Sequence, residues 1–288
     1  MIWVLLTILS ATGIFVFFKL LDKYKLPNLN GIVINYLVAG LLGFAISPNR
    51  SLVTEIFQAS WAPLAIIIGV LFILMFFVIG YSSTVSGMSL TTLASKMSVV
   101  IPILFSIIYF GEPVTNIKVF GLVLALVGLV LAVYKKRKDG KISKQFWVPI
   151  ILFIGMGCVD SLVKFAQETH ISDEISGVFT ALLFSVSFLV GVLIMLSKPK
   201  TFKAFKNPRL ILLGTGLGIV NYGSIYFLIR ALNSKVFDSS VIFGINNIGI
   251  IALSALIGYV FFKERLTRLN WIGLIVCIVA IAVLYITK

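Results

Sequence analysis

The sequence predicts an all-α polytopic membrane protein in which ten transmembrane helices form two inverted five-helix repeats. Three observations predict it. First, 60% of the 288 residues are hydrophobic, only 12% are charged, and mean hydropathy is +1.12. An ordinary soluble domain is about half apolar and about a quarter charged. Second, long apolar runs recur along the whole chain, separated by short polar turns. Third, two segments that each follow a Glu in a short loop resemble one another.

In lipid the backbone must satisfy its own hydrogen bonds, so each long apolar run is expected to be a helix. At about 20 residues per span the chain holds ten and leaves no extramembrane domain of useful size. Span 1, at 2–21, is apolar from its second residue. It lacks the positive n-region and the cleavage site of a secretory signal, so it reads as a permanent span. Pro27-Asn28 breaks the chain before span 2 at 31–47, and Pro48-Asn49 breaks it after. Span 3 covers 62–80 and span 4 covers 88–110, with Gly87 at the turn between them. Pro102 is expected to kink span 4. Gly111-Glu112-Pro113 precedes span 5 at 116–134. A basic linker at 135–145, containing Asp139-Gly140, leads to span 6 at 146–168. Span 7 at 175–196 stops before Lys198-Pro199, and span 8 at 209–231 starts after Asn207-Pro208. Spans 9 and 10 lie at 237–262 and 268–286. The breaks are Pro, Gly, Asn and Asp pairs, which favour turns. The two repeats are therefore expected at 1–134 and 146–288.

The formal net charge is +14. Its placement excludes a nucleic-acid partner, because most Lys and Arg lie in loops beside apolar spans, the footprint of membrane topology. The loops after odd-numbered spans carry most of it. They hold Lys23 and Lys25, the cluster from Lys135 to Lys144, the group from Lys198 to Arg209, and Lys263, Arg265 and Arg268. The opposite side holds Arg50, Lys118, Lys235 and Lys288. The positive-inside rule then places the basic linker in the cytoplasm and both termini outside. Cys158 and Cys277 fall inside apolar runs and read as small buried hydrophobes rather than as a disulfide or metal ligands.

The repeat is clearest around two glutamates. Setting Glu112 on Glu264 brings Phe110 onto Phe262, Thr115 onto Thr267, Gly121 onto Gly273 and Val127 onto Val279. Ile2-Trp3-Val4 likewise matches Phe146-Trp147-Val148. Five spans per half force the second half to insert upside down, an architecture common among secondary transporters. Each Glu precedes a new helix, where a carboxylate can accept from free N–H groups. Both are read as structural caps of the helix that follows.

The chain resembles the ten-span EamA-type permeases of the drug/metabolite transporter superfamily. The resemblance rests on Gly111-Glu112-Pro113-Val114-Thr115 and Lys263-Glu264-Arg265-Leu266-Thr267, on Gly121 and Gly273 in the spans that follow, and on the five-plus-five layout. It implies a single bundle around a central cavity lined mainly by spans 1, 3, 4, 6, 8 and 9, with spans 5 and 10 at the periphery. It also implies both termini in the cytoplasm, opposite to the charge count.

An ionisable residue at membrane depth costs about 3 kcal/mol and is functional by default. Lys19 and Arg230 sit near span ends and are expected to snorkel to the interface. Lys96 lies well inside span 4 beside Ser95 and Ser98, and a cavity-facing cation there suits a substrate carboxylate. Asp160 and Lys164 are four residues apart on one face of span 6 and can pair. They read either as an internal salt bridge or as a proton-coupling pair with Asp160 the protonatable group. Asn246 and Asn247 sit mid-span 9, where the repeat alignment puts Ser95 onto Asn247. Asn221, Tyr222 and Asn35 complete the candidate substrate-binding set. Tyr81 joins it from the end of span 3, although it equally suits an interfacial aromatic. Gly214 and Gly218 form a GxxxG packing face.

No Walker motif, GxSxG or HExxH occurs, and the one histidine, His170, sits in a polar connection. The expectation is thus not an enzyme but a secondary transporter of small organic solutes, needing no cofactor or metal. Its partners are a small-molecule substrate and the lipid bilayer, in the inner membrane of a bacterium. Monomer and homodimer both fit. The lysines favour export of zwitterionic or anionic metabolites such as amino acids. The alternatives are a multidrug or lipophilic-cation exporter of the same fold, an intramembrane enzyme, and a non-transporting receptor or scaffold.

Overall fold

A computed structural model describes residues 2–46, 59–111, 114–133, 147–170, 173–234 and 239–286. Among the described residues all regular structure is helical. The helices are α1 (Ile2–Lys23), α2 (Asn28–Ile46), α3 (Ala62–Val85), α4 (Met88–Met97), α5 (Val100–Phe110), α6 (Asn116–Val133), α7 (Trp147–Thr169), α8 (Asp173–Leu196), α9 (Pro208–Asn233), α10 (Ser239–Val260) and α11 (Arg268–Ile286). A short 3-10 helix at Pro199–Lys206 joins α8 to α9. Counting α4 and α5 as one segment, seven helical segments are long and apolar enough to cross a membrane, and three more are shorter and apolar.

The element boundaries follow local chemistry. Pro at the start of α9 and near the start of α3 suits a first turn, where its missing N–H is not needed. α3 runs five residues past the expected end of span 3. In its polar tail Thr84 Oγ1 donates back to the Gly80 carbonyl at 3.2 Å. Gly87 then takes φ +91°, a conformation that favours glycine, and lets α4 start in a new direction. Gly111 closes α5 in the left-handed region at φ +67°. Thr115 Oγ1 accepts from Lys118 N–H at 3.2 Å, and Thr267 Oγ1 accepts from Asn270 N–H at 3.2 Å. The two threonines matched in the repeat alignment thus make the same N-cap bond.

The expected span 4 is two helices. Proline clashes with the carbonyl four residues back, and for Pro102 that carbonyl belongs to Ser98. The α-helix stops at Met97 and resumes at Val100, and the Ser98 carbonyl accepts from Ile101 N–H at 2.9 Å instead.

The outer face of the bundle is apolar: Ile108 is 82% exposed and Leu212 71% exposed. Inside, one apolar cluster joins α1, α2, α3, α4, α9 and α10 and extends to α6 and α11, and a second joins α3, α7 and α8. α1 packs on α9 and α10, while α7 packs on α3 and α4. α2 packs on α8 and α9, α4 on α10, and α6 on α11. Gly214 and Gly218 do form a packing face: a Cβ at either would fall 2.7 Å from Ile34 Cβ or Val38 Cβ of α2. Cys277 is buried, but Cys158 is exposed, contrary to expectation. It lies on the outward side of α7, where an apolar surround holds a thiol as readily as a core does.

Three of the basic connections gather at one end. Arg209 lies over the ring of Tyr24 at 5.6 Å, Asn30 Nδ2 donates to the Thr201 carbonyl at 3.0 Å, and Lys19 pairs with Glu264 at 3.8 Å. This joins the α1–α2 turn, the 3-10 helix and the α10–α11 connection, as the charge count grouped them. The linker that precedes α7 lies outside the described residues.

Candidate functional site

The break between α4 and α5 positions the first locus. Lys96 occupies the last turn of α4, and both it and Asp160 of α7 are partly buried. The Asp160 carboxylate acts electrostatically on Lys96, and Lys96 on it. Ser98, at the break, has its hydroxyl 2.6 Å from the Ser95 carbonyl and 3.2 Å from Asp160 Oδ2. One hydroxyl proton therefore serves two acceptors. The sequence paired Asp160 with Lys164, one turn along the same helix; the fold adds Lys96 as a charged neighbour from another helix. Ser95, Asn246 and Asn247 are all buried, and the helices that carry them, α4 and α10, pack together. Asn246 Oδ1 has no hydrogen-bond partner among the described residues. A buried amide oxygen left in this state is a ready acceptor for an incoming donor.

A second polar locus lies between α2 and α9. Asn221 Nδ2 donates to Asn35 Oδ1 at 3.1 Å, and both side chains are buried. Asn35 Nδ2 has no partner among the described residues. Asn221→Ala would leave both ends of the Asn35 amide without a protein partner. It is expected to destabilise the protein by about 1–3 kcal/mol. Thermal unfolding in detergent checks this, and an unchanged midpoint would mean that the pair is not formed.

Two candidates stand apart. Tyr222 is partly buried and stacks on Tyr226 at 5.9 Å, which in turn lies under Arg230 at 5.4 Å. Arg230 is exposed and is held by an aromatic ring. Tyr81 is 57% exposed, matching the interfacial alternative rather than a place beside Lys96.

The glutamates need correction. Glu112 lies outside the described residues. Glu264 is a cap, but not of the helix that follows it. Its carboxylate accepts from the backbone N–H groups of Met88 and of Ser89, the latter at 3.0 Å, and from the Ser89 hydroxyl at 2.7 Å. It therefore caps α4, 175 residues away in sequence. α11 is capped by its own Thr267 and Asn270, whose Oδ1 accepts from Thr267 N–H at 2.9 Å. Lys19 does not simply snorkel: it lies 3.8 Å from Glu264 Oε1 and 3.9 Å from Asp22 Oδ2, and donates to the Ser83 carbonyl at 3.2 Å. Sequence reasoning missed this group. The available signal was that Lys19 and Glu264 both fall at the basic end of the topology.

No family model matches this chain. It is similar to an uncharacterized protein of Haemophilus influenzae, 27% identical over 285 residues that cover 96% of this chain and 95% of that protein. It is also similar to a protein of known crystal structure, with a TM-score of 0.57 and 17% identity over 96% of this chain and 95% of that one. This second likeness is one of fold alone.

Proposed function

We propose that this chain is a secondary active transporter of the drug/metabolite type, an exporter of small organic metabolites in a bacterial cytoplasmic membrane. Its substrates would be amino acids or other zwitterionic or anionic solutes. The observation that carries the reading is the interrupted α4–α5 segment, which holds Ser98 3.2 Å from Asp160 and Lys96 within its electrostatic reach. Discontinuous helices with polar groups at their break are a recurrent way to bind a solute inside a membrane. Lys96 suits a carboxylate, and Asp160 suits either a substrate ammonium or a coupling proton. Ser98 fits the second role. A hydroxyl both donates and accepts, so it can donate to a charged Asp160 or accept from a protonated one.

Packing supports alternating access by two inverted halves. Exchanging each helix for its counterpart in the other repeat turns α1 on α9 into α7 on α3, and α1 on α10 into α7 on α4. The contacts of α2 with α8, α4 with α10 and α6 with α11 map onto themselves. In this reading the polar chemistry moves a solute and makes no covalent change, and no cofactor is required. The bilayer and the solute are its partners, with a homodimer as a further assembly.

A thermal-shift screen of the purified protein tests the proposal. The panel spans amino acids, organic acids, nucleotide sugars, sugar phosphates and lipophilic cations. A ligand that binds only the folded state stabilises it by about 2.7 kcal/mol at a hundred times its Kd. Stabilisation by amino or organic acids, lost in Lys96→Ala, is the expected result. Stabilisation by lipophilic cations alone would favour a drug exporter. No stabilisation by any class, with no flux in proteoliposomes, would overturn transport.

A further inference from the structure

We infer that Glu264 is a latch that closes the lysine-rich end of the bundle, so that the central charges open to that side only when its carboxylate leaves the start of α4. The inference rests on the transport reading and adds a device that reading does not specify.

Glu264 belongs to the second half of the chain, yet every hydrogen bond to its carboxylate given above comes from the first. Met88 and Ser89 hold it to α4, and Lys19 joins α1 to it. Through the Lys19 bond to the Ser83 carbonyl, the end of α3 is drawn into the same knot. Lys263 takes a left-handed φ of 52°, and Glu264 N–H bonds the Gly258 carbonyl at 3.0 Å, so the chain folds back at the end of α10. Two glycines keep the space for the carboxylate. A Cβ at Gly87 would lie 2.8 Å from Oε1, and one at Gly258 would lie 2.6 Å from Oε2. One carboxylate thus gathers the ends of four helices.

Its position relative to α4 makes this more than a cap. α4 is ten residues long and its own N-cap residue, Gly87, has no side chain with which to cap it. Met88 and Lys96 are eight residues apart, or about 12 Å along the axis. The latch and the central charges are therefore the two ends of one short rod. Both ends are held by the second half, Glu264 at the start and Asp160 through Ser98 at the break. Two halves that rock past one another must release one of these ties. The Glu264 tie is the releasable one, because it sits at the end of the bundle in a connection whose flanking Phe261, Lys263 and Arg265 are exposed. Water entering there replaces charge-assisted bonds group by group.

Labelling of an introduced cysteine tests this without a substrate. Thr92, buried one turn inside the latch, is changed to Cys in a Cys158→Ser background, because native Cys158 is exposed. A membrane-impermeant thiol reagent is added to vesicles of each orientation. Glu264→Ala is expected to speed labelling from the lysine-rich side by about tenfold, with no gain from the other side. Glu264→Gln, which keeps an accepting oxygen but loses the ion pair, should fall between. Unchanged rates, or equal gains from both sides, would overturn the latch. If Glu264→Ala fails to accumulate, Lys19→Gln leaves the cap bonds in place and should give a smaller gain from the same side; no gain there overturns the latch as well. Flux is read separately in the same vesicles. A one-sided gain in a protein without flux would sink the transport reading alone, and flux with unchanged labelling would sink the latch alone.

Discussion

Lys96→Ala and Asp160→Asn are each expected to lower substrate flux by at least about a hundredfold, which corresponds to about 2.7 kcal/mol, with the protein still folded and inserted. Each change removes one of two opposite charges on neighbouring helices that act on each other electrostatically. Both groups are partly buried, so each single variant should also be less stable than the parent, by less than the loss of a fully buried ion pair. The combined Lys96→Ala, Asp160→Asn variant separates structure from function. With both charges gone the imbalance between Lys96 and Asp160 is removed, and part of the stability should return. Flux should not return, because nothing is left to meet a carboxylate or hold a proton. Flux measured in proteoliposomes, with thermal midpoints beside it, gives all the needed readings. Full flux in either single variant would remove Lys96 and Asp160 from the solute path, and recovered flux in the double variant would mark the pair as a purely structural bridge.

The second large effect is structural. Gly273→Leu is expected to destabilise the protein by about 2–3 kcal/mol. α6 and α11 pack in opposite directions along a seam of small residues: Gly121 faces Leu284, Gly128 faces Cys277, and Gly273 faces Ala132. A Cβ at Gly273 would fall on the backbone nitrogen of Ala132 and 2.6 Å from its Cα. Backbone cannot turn aside as a side chain can, so the helices must separate. Separation also breaks the bond from Asn270 Nδ2 to the Ala132 carbonyl, 2.5 Å long. Between helices in lipid there is little hydrophobic drive to offset such losses, because close packing and hydrogen bonding supply most of the association. Thermal unfolding in detergent reads the change, and Gly273→Ala should show a smaller loss. A midpoint unmoved by Leu would mean that the seam does not hold these helices together.

The helices were legible because lipid removes alternatives: an apolar run of sufficient length has no other way to satisfy its backbone. Nine of the ten expected spans coincide with single helices to within a few residues, apart from the tail of α3, where a polar turn carries the helix on to Val85. The tenth was legible in cause but not in form. Pro102 announced a kink, and the fold turned it into a break at Ser98 and Val99, because the proline clash falls four residues back. The members of the candidate site were legible one by one. Lys96, Asp160, Ser95, Asn35, Asn221, Asn246 and Asn247 each stand out as polar groups in apolar surroundings.

The partners of those groups were not legible, since sequence offers only neighbours on the same helix. Thus Lys164 was the visible partner of Asp160, while Lys96, 64 positions earlier, is a charged neighbour supplied by packing. Glu264 looked like a cap for the helix beside it, but Thr267 and Asn270 already serve that helix, which frees the carboxylate for α4 and Lys19. By itself the sequence determined where the chain forms apolar helices, where it turns and which polar residues fall inside those helices, because all three follow from local chemistry. Only the tertiary structure decided which charges meet, because a side chain on one helix finds its partner through the packing of whole helices, and spacing along the chain carries no record of that.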